Sequence, residues 1–529
     1  MNRLLTSVIC GLVGINTMLS ADPSRPRLVV GIMVDQLRTD YIESLQNLFG
    51  EKGFRRLMRD GAFLKNVDFK VGTLDRASGT AMVYTGNYPR ETGVASAMVY
   101  DPSRQGMVAA LEDPASIGNF TTETYSPAAL RLSTISDEIA IDGAGMAAVY
   151  AIAPDAQQAI IMAGHAGTSA CWINDNSGKW ASTTYYREMP KPITRRNYSN
   201  SIAARIDTMR WKPALPLSSY PGLPAQKRMY DFDHRFSMAD RDVYRMYATS
   251  PLVNTEVTDV AIDYLKDLSI GGRGDAIDML NVAYTAAPYK YVKDGDFRLE
   301  LEDSYVRLDG QISRLFDAID KYVGLDNAFI YVASTGYYDD AVVDDPKYRI
   351  PTGEFSVKRA LSLLNSYLSA KYGNGDYVDT YSGNHVYLDR RQIEERKLDL
   401  KEVAEAARDF LVRMSGVSDA YTMGDIMSSA LPAMESMRLG TDPKTGGDIV
   451  LEFNGGWRVN DDTRFPNNVK VMRSSMTLTP VFMMGGGIAP QTVSVPVDAT
   501  AIAPTVTQVL RIRSPNGVAS RPLPLEMKR

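Results

Sequence analysis

Short apolar runs recur along the chain at 28–34, 147–152, 159–162, 280–284, 328–333 and 481–484, each followed by a polar or glycine-bearing loop and then a helical pattern. Hydrophobicity that is continuous rather than alternating predicts strands buried on both faces, and therefore an α/β fold with a largely parallel sheet covered by helices. Covering helices are predicted at 54–58 and 304–322, the second with Tyr305, Leu308, Ile312, Leu315 and Ile319 along one side. In such a sheet ligands sit beyond the C-terminal ends of the strands. From 351 to 429 the pattern changes. A helix at 357–371, short strand-like runs at 377–380 and 384–388, and a charged helix at 398–414 predict an inserted α+β subdomain.

With 529 residues, 44% hydrophobic and 23% charged, the chain is long enough for one large domain plus insertions. A net charge of -5, spread evenly, argues for neither nucleic acid nor an anionic membrane as partner. Met1-Asn2-Arg3, the apolar stretch 4–19 and Ser20-Ala21-Asp22 read as a secretory signal peptide over 1–21, leaving a mature domain over 22–529. The stretch contains Thr6, Ser7, Asn16 and Thr17 and falls short of the roughly 20 apolar residues of a spanning helix. No later segment is apolar enough to span. Loss of Cys10 with the signal leaves Cys171 alone, so the mature chain has no intrachain disulfide.

The segment Gly72-Thr73-Leu74-Asp75-Arg76-Ala77-Ser78-Gly79-Thr80 through Thr85-Gly86-Asn87-Tyr88-Pro89 resembles the nucleophile stretch of the periplasmic phosphate-irrepressible alkaline phosphatases. These belong to the alkaline phosphatase superfamily, close to the nucleotide pyrophosphatase-phosphodiesterase group of Bacteroidota. Further landmarks follow in family order: Val29 to Arg38 like the first strand with its metal-ligand aspartate Asp35, Ala163-Gly164-His165, Trp172, Gly178-Lys179-Trp180, Tyr305 to Asp309, Tyr421-Thr422 and Ile502 to Thr505. The resemblance runs from Leu28 to Pro522 and implies an alkaline-phosphatase-like sheet.

It also implies a site stripped of its chemistry. Phosphatases of this kind use two close metal ions and a hydroxyl nucleophile, and the chain has only three histidines, His165, His234 and His385. The nucleophile position, nine residues before Thr85, holds Arg76. Where the resemblance places an Asp and a His after a central strand stand Pro288 and Val292; the Asp-His pair is Ser334-Thr335; the last histidine is Leu478. The phosphate-binding asparagine aligns with Ala97 and a Lys-x-Arg pair with Asp155 and Gln157. Of the metal ligands only Asp35 remains, so no catalytic residue, no metal and no cofactor is expected. An Asp35 stripped of its cations is costly unless another cation arrives, and Arg76 is expected to reach it.

Other candidates carry bland readings. His165 reads as a structural hydrogen-bonder, and Asp231-Phe232-Asp233-His234-Arg235 as a solvated charged loop. The acidic run Asp339, Asp340, Asp344, Asp345 reads as a surface loop or as a calcium site, and Gly485-Gly486-Gly487 as a tight turn. The resulting expectation is an exported pseudophosphatase in the periplasm or on the periplasmic face of the outer membrane, binding or scaffolding other envelope proteins. Two alternatives stand beside it: an active phosphatase or phosphodiesterase with a rebuilt site holding two zinc ions or another divalent metal, and an anion binder using Arg76.

Overall fold

In the computed structural model the described residues are 25–101, 103–187, 189–221, 231–272, 274, 276–292, 297–339, 352–461, 469–472 and 478–528. The expected signal segment, and Asp340, Asp344 and Asp345 of the acidic run, lie outside them. Apolar runs become strands of one large sheet in β1 (Leu28–Asp35), β3 (Val149–Ala153), β6 (Asp278–Thr285) and β7 (Ala328–Ser334), and three strands that the runs did not mark join them, β2 (Ala62–Asp68), β4 (Ser169–Ile173) and β5 (Trp180–Thr183). Every residue of β1, β6 and β7 is buried, as continuous hydrophobicity requires of interior parallel strands.

The inserted unit follows β7, with its own strands β8 (Val378–Ser382), β9 (His385–Leu388), β10 (Val417–Thr422) and β11 (Ile449–Phe453), before β12 (Thr479–Gly485) returns to the main sheet. The main sheet runs Gln491–Val493, β2, β12, β7, β1, β6, β3, β4, β5, Gly118–Asn119. From β7 to β4 all pairings are parallel, while β12 is antiparallel to both β7 and β2. β1 sits at the centre, with Asp35 level with Thr285 of β6 and Val34 level with Ser334 of β7.

Helices cover both faces and close two separate cores over the sheet. Those that matter for the site are α1 (Arg76–Thr85), α2 (Ile135–Asp142), α3 (Ala156–Ala163) and α4 (Arg298–Tyr322). Residues 159–162, expected as a strand, lie within α3. A short, wholly apolar run carries no periodicity to separate the two; the Asp155 side chain accepts the Gln158 N–H at 2.9 Å and starts a helix.

The insertion is larger than 351–429. Its sheet order is β8, β9, β11, β10, all antiparallel, so β11, well past 429, is an interior strand. Phe355 and Val459 join the same third core, covered by α5 (Val357–Tyr372) and α6 (Leu400–Leu411). Among the described residues no helix is long and apolar enough to cross a membrane.

Candidate functional site

β1 delivers Asp35 to the C-terminal edge of the sheet, where its side chain is 2% exposed. Helix α1 starts beside it. Asp75 caps that helix, accepting the Ser78 N–H at 2.9 Å while its own N–H donates to Ser78 Oγ at 3.0 Å, a reciprocal capping box. The second Asp75 oxygen accepts from Ser96 Oγ and the Ala97 N–H. Gly79 sets how close the helix comes: a Cβ there would stand 1.9 Å from the Thr335 carbonyl oxygen. Only glycine lets the first turn of α1 lie on the backbone that leaves β7.

That approach brings the Arg76 guanidinium to Asp35, with Nη2 2.8 Å from Oδ2. Thr335 Oγ1 donates to the other oxygen, Oδ1, at 3.0 Å and accepts the Gln36 N–H at 3.1 Å. The pair is joined through one guanidinium nitrogen rather than as a bidentate fork, because Thr335 occupies the second oxygen. Arg76 Nη1 is also 3.5 Å from Asp155 Oδ2. Burial opposes the guanidinium charge, but Asp35 above all, with Tyr337 and Asp155, more than offsets it, so its pKa stands well above the usual value. The neighbouring Tyr337 phenol is pushed far up by burial and by Asp35 and stays neutral.

The nearby hydroxyls are committed to the helix itself. Ser78 belongs to the capping box, and Thr80 Oγ1 donates to the Arg76 carbonyl at 2.6 Å.

The remaining predicted positions fall on the same edge but supply no ligands. Ser334 ends β7 and its Oγ accepts the Gly336 N–H at 3.4 Å. Pro288 and Val292 follow the end of β6, where the Ala286 N–H donates to the Asp35 carbonyl; Leu478 immediately precedes β12. Gln157 Nε2 donates to the Ala97 carbonyl at 2.9 Å. Asp339 takes the Lys290 ammonium at 2.8 Å; burial works to raise its carboxyl pKa, yet Lys290 and Lys470 hold it below the usual range. Zinc wants imidazole, thiolate or carboxylate lone pairs. Here both Asp35 oxygens accept from donors of the protein, proline, valine and leucine side chains offer no lone pairs, and among the described residues no three His, Cys, Asp or Glu side chains gather to hold a metal. Among the described residues, those at this edge do not fit a two-metal centre.

The other candidates are placed elsewhere. His165 lies between Asp137 Oδ2 at 3.0 Å and the Leu130 carbonyl at 3.1 Å. His234, expected in a solvated loop, has Nε2 2.9 Å from Glu300 Oε1 and packs among Trp211, Phe232 and Tyr289; Trp211 and Tyr289, distant in sequence, override the charged flanks. Gly485 is level with Phe329 near the start of β7, at the opposite edge from Asp35. Cys171 is free and buried, its thiol raised to about 11 by burial. What sequence reasoning missed is the service of Thr335 to Asp35, the close approach at Gly79, and a cavity wall beside Arg76 formed by Glu123, Asp155, Trp172 and Asp175. A glycine between hydroxyl residues at the start of an otherwise bulky helix was the one available signal.

Over residues 29–473 the chain matches the Type I phosphodiesterase / nucleotide pyrophosphatase family. It is 27% identical over 540 residues to alkaline phosphatase PafA of Elizabethkingia meningoseptica, covering 97% of this chain and 98% of that protein. To alkaline phosphatase PhoV of Synechococcus elongatus it is 25% identical, covering 93% and 92%. The crystal structure of wild type alkaline phosphatase PafA superposes with a TM-score of 0.82 at 27% identity, covering 94% of this chain and 98% of that one. A match over most of the chain, on a sheet that presents Asp35 and α1 at one edge, establishes that the chain belongs to the Type I phosphodiesterase / nucleotide pyrophosphatase family.

Proposed function

We propose that this protein is a catalytically silent member of its family, exported to the bacterial envelope, where it serves as a binding or scaffolding subunit for other envelope proteins. One observation carries the reading: Arg76 stands on Asp35 while Thr335 holds the other carboxylate oxygen. A guanidinium is always charged and is no phosphoryl acceptor, and its cation lies where a metal on Asp35 would have to bind. Phosphoryl transfer without metal or nucleophile lacks the groups that stabilise developing charge. Export is supported by the basic, apolar and small-residue order of residues 1–22.

The test has two arms. Purified mature protein, incubated with zinc and desalted, is expected to hold no stoichiometric zinc by elemental analysis and to turn over neither p-nitrophenyl phosphate nor its bis ester. Two zinc ions per chain, with turnover that Asp35→Asn abolishes, would overturn the catalytic half. Crosslinking in the native envelope followed by size analysis is expected to find the chain in a larger assembly; a purely monomeric band would overturn the scaffolding half.

A further inference from the structure

Between the start of α1 and the insertion lies a cavity of about 130 Å³, lined by Leu74, Asp75 and Val99 on the side of the main sheet and by His385, Thr441 and Lys470 on the other. Neither Asp35 nor Arg76 lines it. We propose that it binds a short-chain monocarboxylate, with the carboxylate on Lys470, His385 and Thr441 and the alkyl end against Leu74 and Val99; the site goes beyond the role proposed above and does not rest on it. The two acidic residues of the wall are already engaged. Asp75 Oδ1 accepts from the Ser78 N–H and Oγ, and its Oδ2 from Ser96 Oγ and the Ala97 N–H. Asp442 holds the Arg131 guanidinium on Oδ2 at 2.6 Å and the Lys444 N–H on Oδ1 at 3.0 Å. What the wall leaves over is donors. The Lys470 ammonium has no ion-pair or hydrogen-bond partner among the described residues; it acts on Asp339 only from a distance, while Lys290 makes the contact. His385 accepts the Gly447 N–H on Nδ1 at 3.2 Å, and burial keeps the ring neutral. The ring proton therefore sits on Nε2, which also lacks an acceptor among the described residues.

A second, independent observation is Thr441. It is only 3% exposed and its hydroxyl makes no hydrogen bond among the described residues. Unlike the sealed Gln157 Oε1, that hydroxyl keeps accessible surface, and the cavity is the space its residue lines. A buried hydroxyl without a partner is costly, and beside an unpaired ammonium and an unpaired imidazole N–H the missing partner is an acceptor brought by a ligand. A carboxylate accepts only, with about four lone-pair sites on two oxygens, so one group satisfies all three donors. An engineered cavity of about 150 Å³ takes benzene, which sets the ligand here at about six heavy atoms. One free ammonium, with the Asp75 charge close by, suits a single negative charge; a dianion such as phosphate brings a second charge that nothing on the wall offsets. A cationic ligand meets the opposite difficulty, since both carboxylates are engaged and the groups left over include a cation.

Ligand-observed NMR titration of the full mature chain with sodium butyrate, in a buffer free of other carboxylates, reads this directly, with butyramide and inorganic phosphate as counter-probes. Saturable butyrate binding is expected, with the uncharged amide about tenfold weaker or worse. Thr441→Val and Lys470→Met are each expected to weaken butyrate about tenfold, since each removes one hydrogen bond to a charged group. Circular dichroism and melting show which variants fold. Thr441→Val, which keeps the side-chain shape and every charge, keeps the test open should Lys470→Met misfold. Absence of saturable butyrate binding, affinity indifferent to either folded variant, or butyramide or phosphate bound as tightly as butyrate would each overturn the proposal. Both variants leave Asp35 and Arg76 intact, and zinc content and turnover are read separately, so failure here leaves the catalytic reading to its own test.

Discussion

Replacing Arg76 by methionine removes the cation from a carboxylate that water barely reaches. Breaking a buried pair by deleting one partner costs about 3–5 kcal/mol, because the other charge stays buried and unmatched. Two features of the site reduce that figure. The Arg76 side chain is 32% exposed, so solvent screens one side of the pair, and the Thr335 hydroxyl still donates to Oδ1. The expected loss for Arg76→Met is therefore about 2–3 kcal/mol. Urea unfolding of the parent, Arg76→Met, Asp35→Asn and the double variant closes a mutant cycle. In the Asp35→Asn background the loss of Arg76 is expected to cost about 1 kcal/mol or less, giving a coupling of about 1.5–2 kcal/mol. A coupling below about 0.5 kcal/mol, or an Arg76→Met protein as stable as the parent, would refute the idea that the guanidinium is the counter-charge of Asp35. Arg76→Thr is expected to lose as much stability and to gain no phosphatase turnover.

Three further outcomes are expected. Gly79→Ala gains about 1 kcal/mol of helix propensity but sets a methyl 1.9 Å from the Thr335 carbonyl oxygen; the overlap wins, with a net loss of about 2–3 kcal/mol in urea unfolding and weakened Arg76–Asp35 coupling. Asp137 raises His165 above its ordinary pKa and is itself held low despite burial, so the pair stabilises fully between about pH 4 and 6.5. Its contribution fades as pH rises through the folded His165 value, and the gap between parent and His165→Gln is expected to be widest near about pH 6 and to narrow as pH rises through that value. Burial pulls His385 down to about 4, and its Nδ1 accepts the Gly447 N–H at 3.2 Å, which needs a neutral ring. Because the unfolded imidazole takes its proton first, stability is expected to fall from about pH 6.5 towards 4, and His385→Gln should flatten that part of the urea-midpoint profile.

Strands β1, β6 and β7 were legible because interior parallel strands write their burial as unbroken apolar runs, and Asp35 was legible because it ends the first of them. The pairing of Arg76 with Asp35 followed from the neighbouring positions that the resemblance gives them, together with their opposite charges. Residues 159–162 were misread because α3 is buried all round and so loses the amphipathic stripe that marks a helix. The insertion was drawn too short because β11 earns its place only by pairing with β9 and β10, a tertiary fact. Glu123, Asp155 and Asp175 come from three separate segments and share no motif. Thr335 was read only as a poor substitute for a metal ligand, whereas its use is the proton it donates to Asp35.

Asp35 and Asp339 are balanced by the protein itself, the first by Arg76 and the second by Lys290. A metal-dependent edge is built the other way, with carboxylates left in excess until cations bind and bring their own charge. Placing a divalent ion on Asp35 here means expelling a guanidinium and breaking the Thr335 hydrogen bond, with Pro288, Val292 and Leu478 unable to supply the remaining coordination. A single change at Arg76 clears one obstacle and leaves the rest. Even with threonine at 76, the new hydroxyl would stand in the first turn of α1, which Asp75 already caps, and the substitution would create an uncompensated Asp35 before it created a nucleophile.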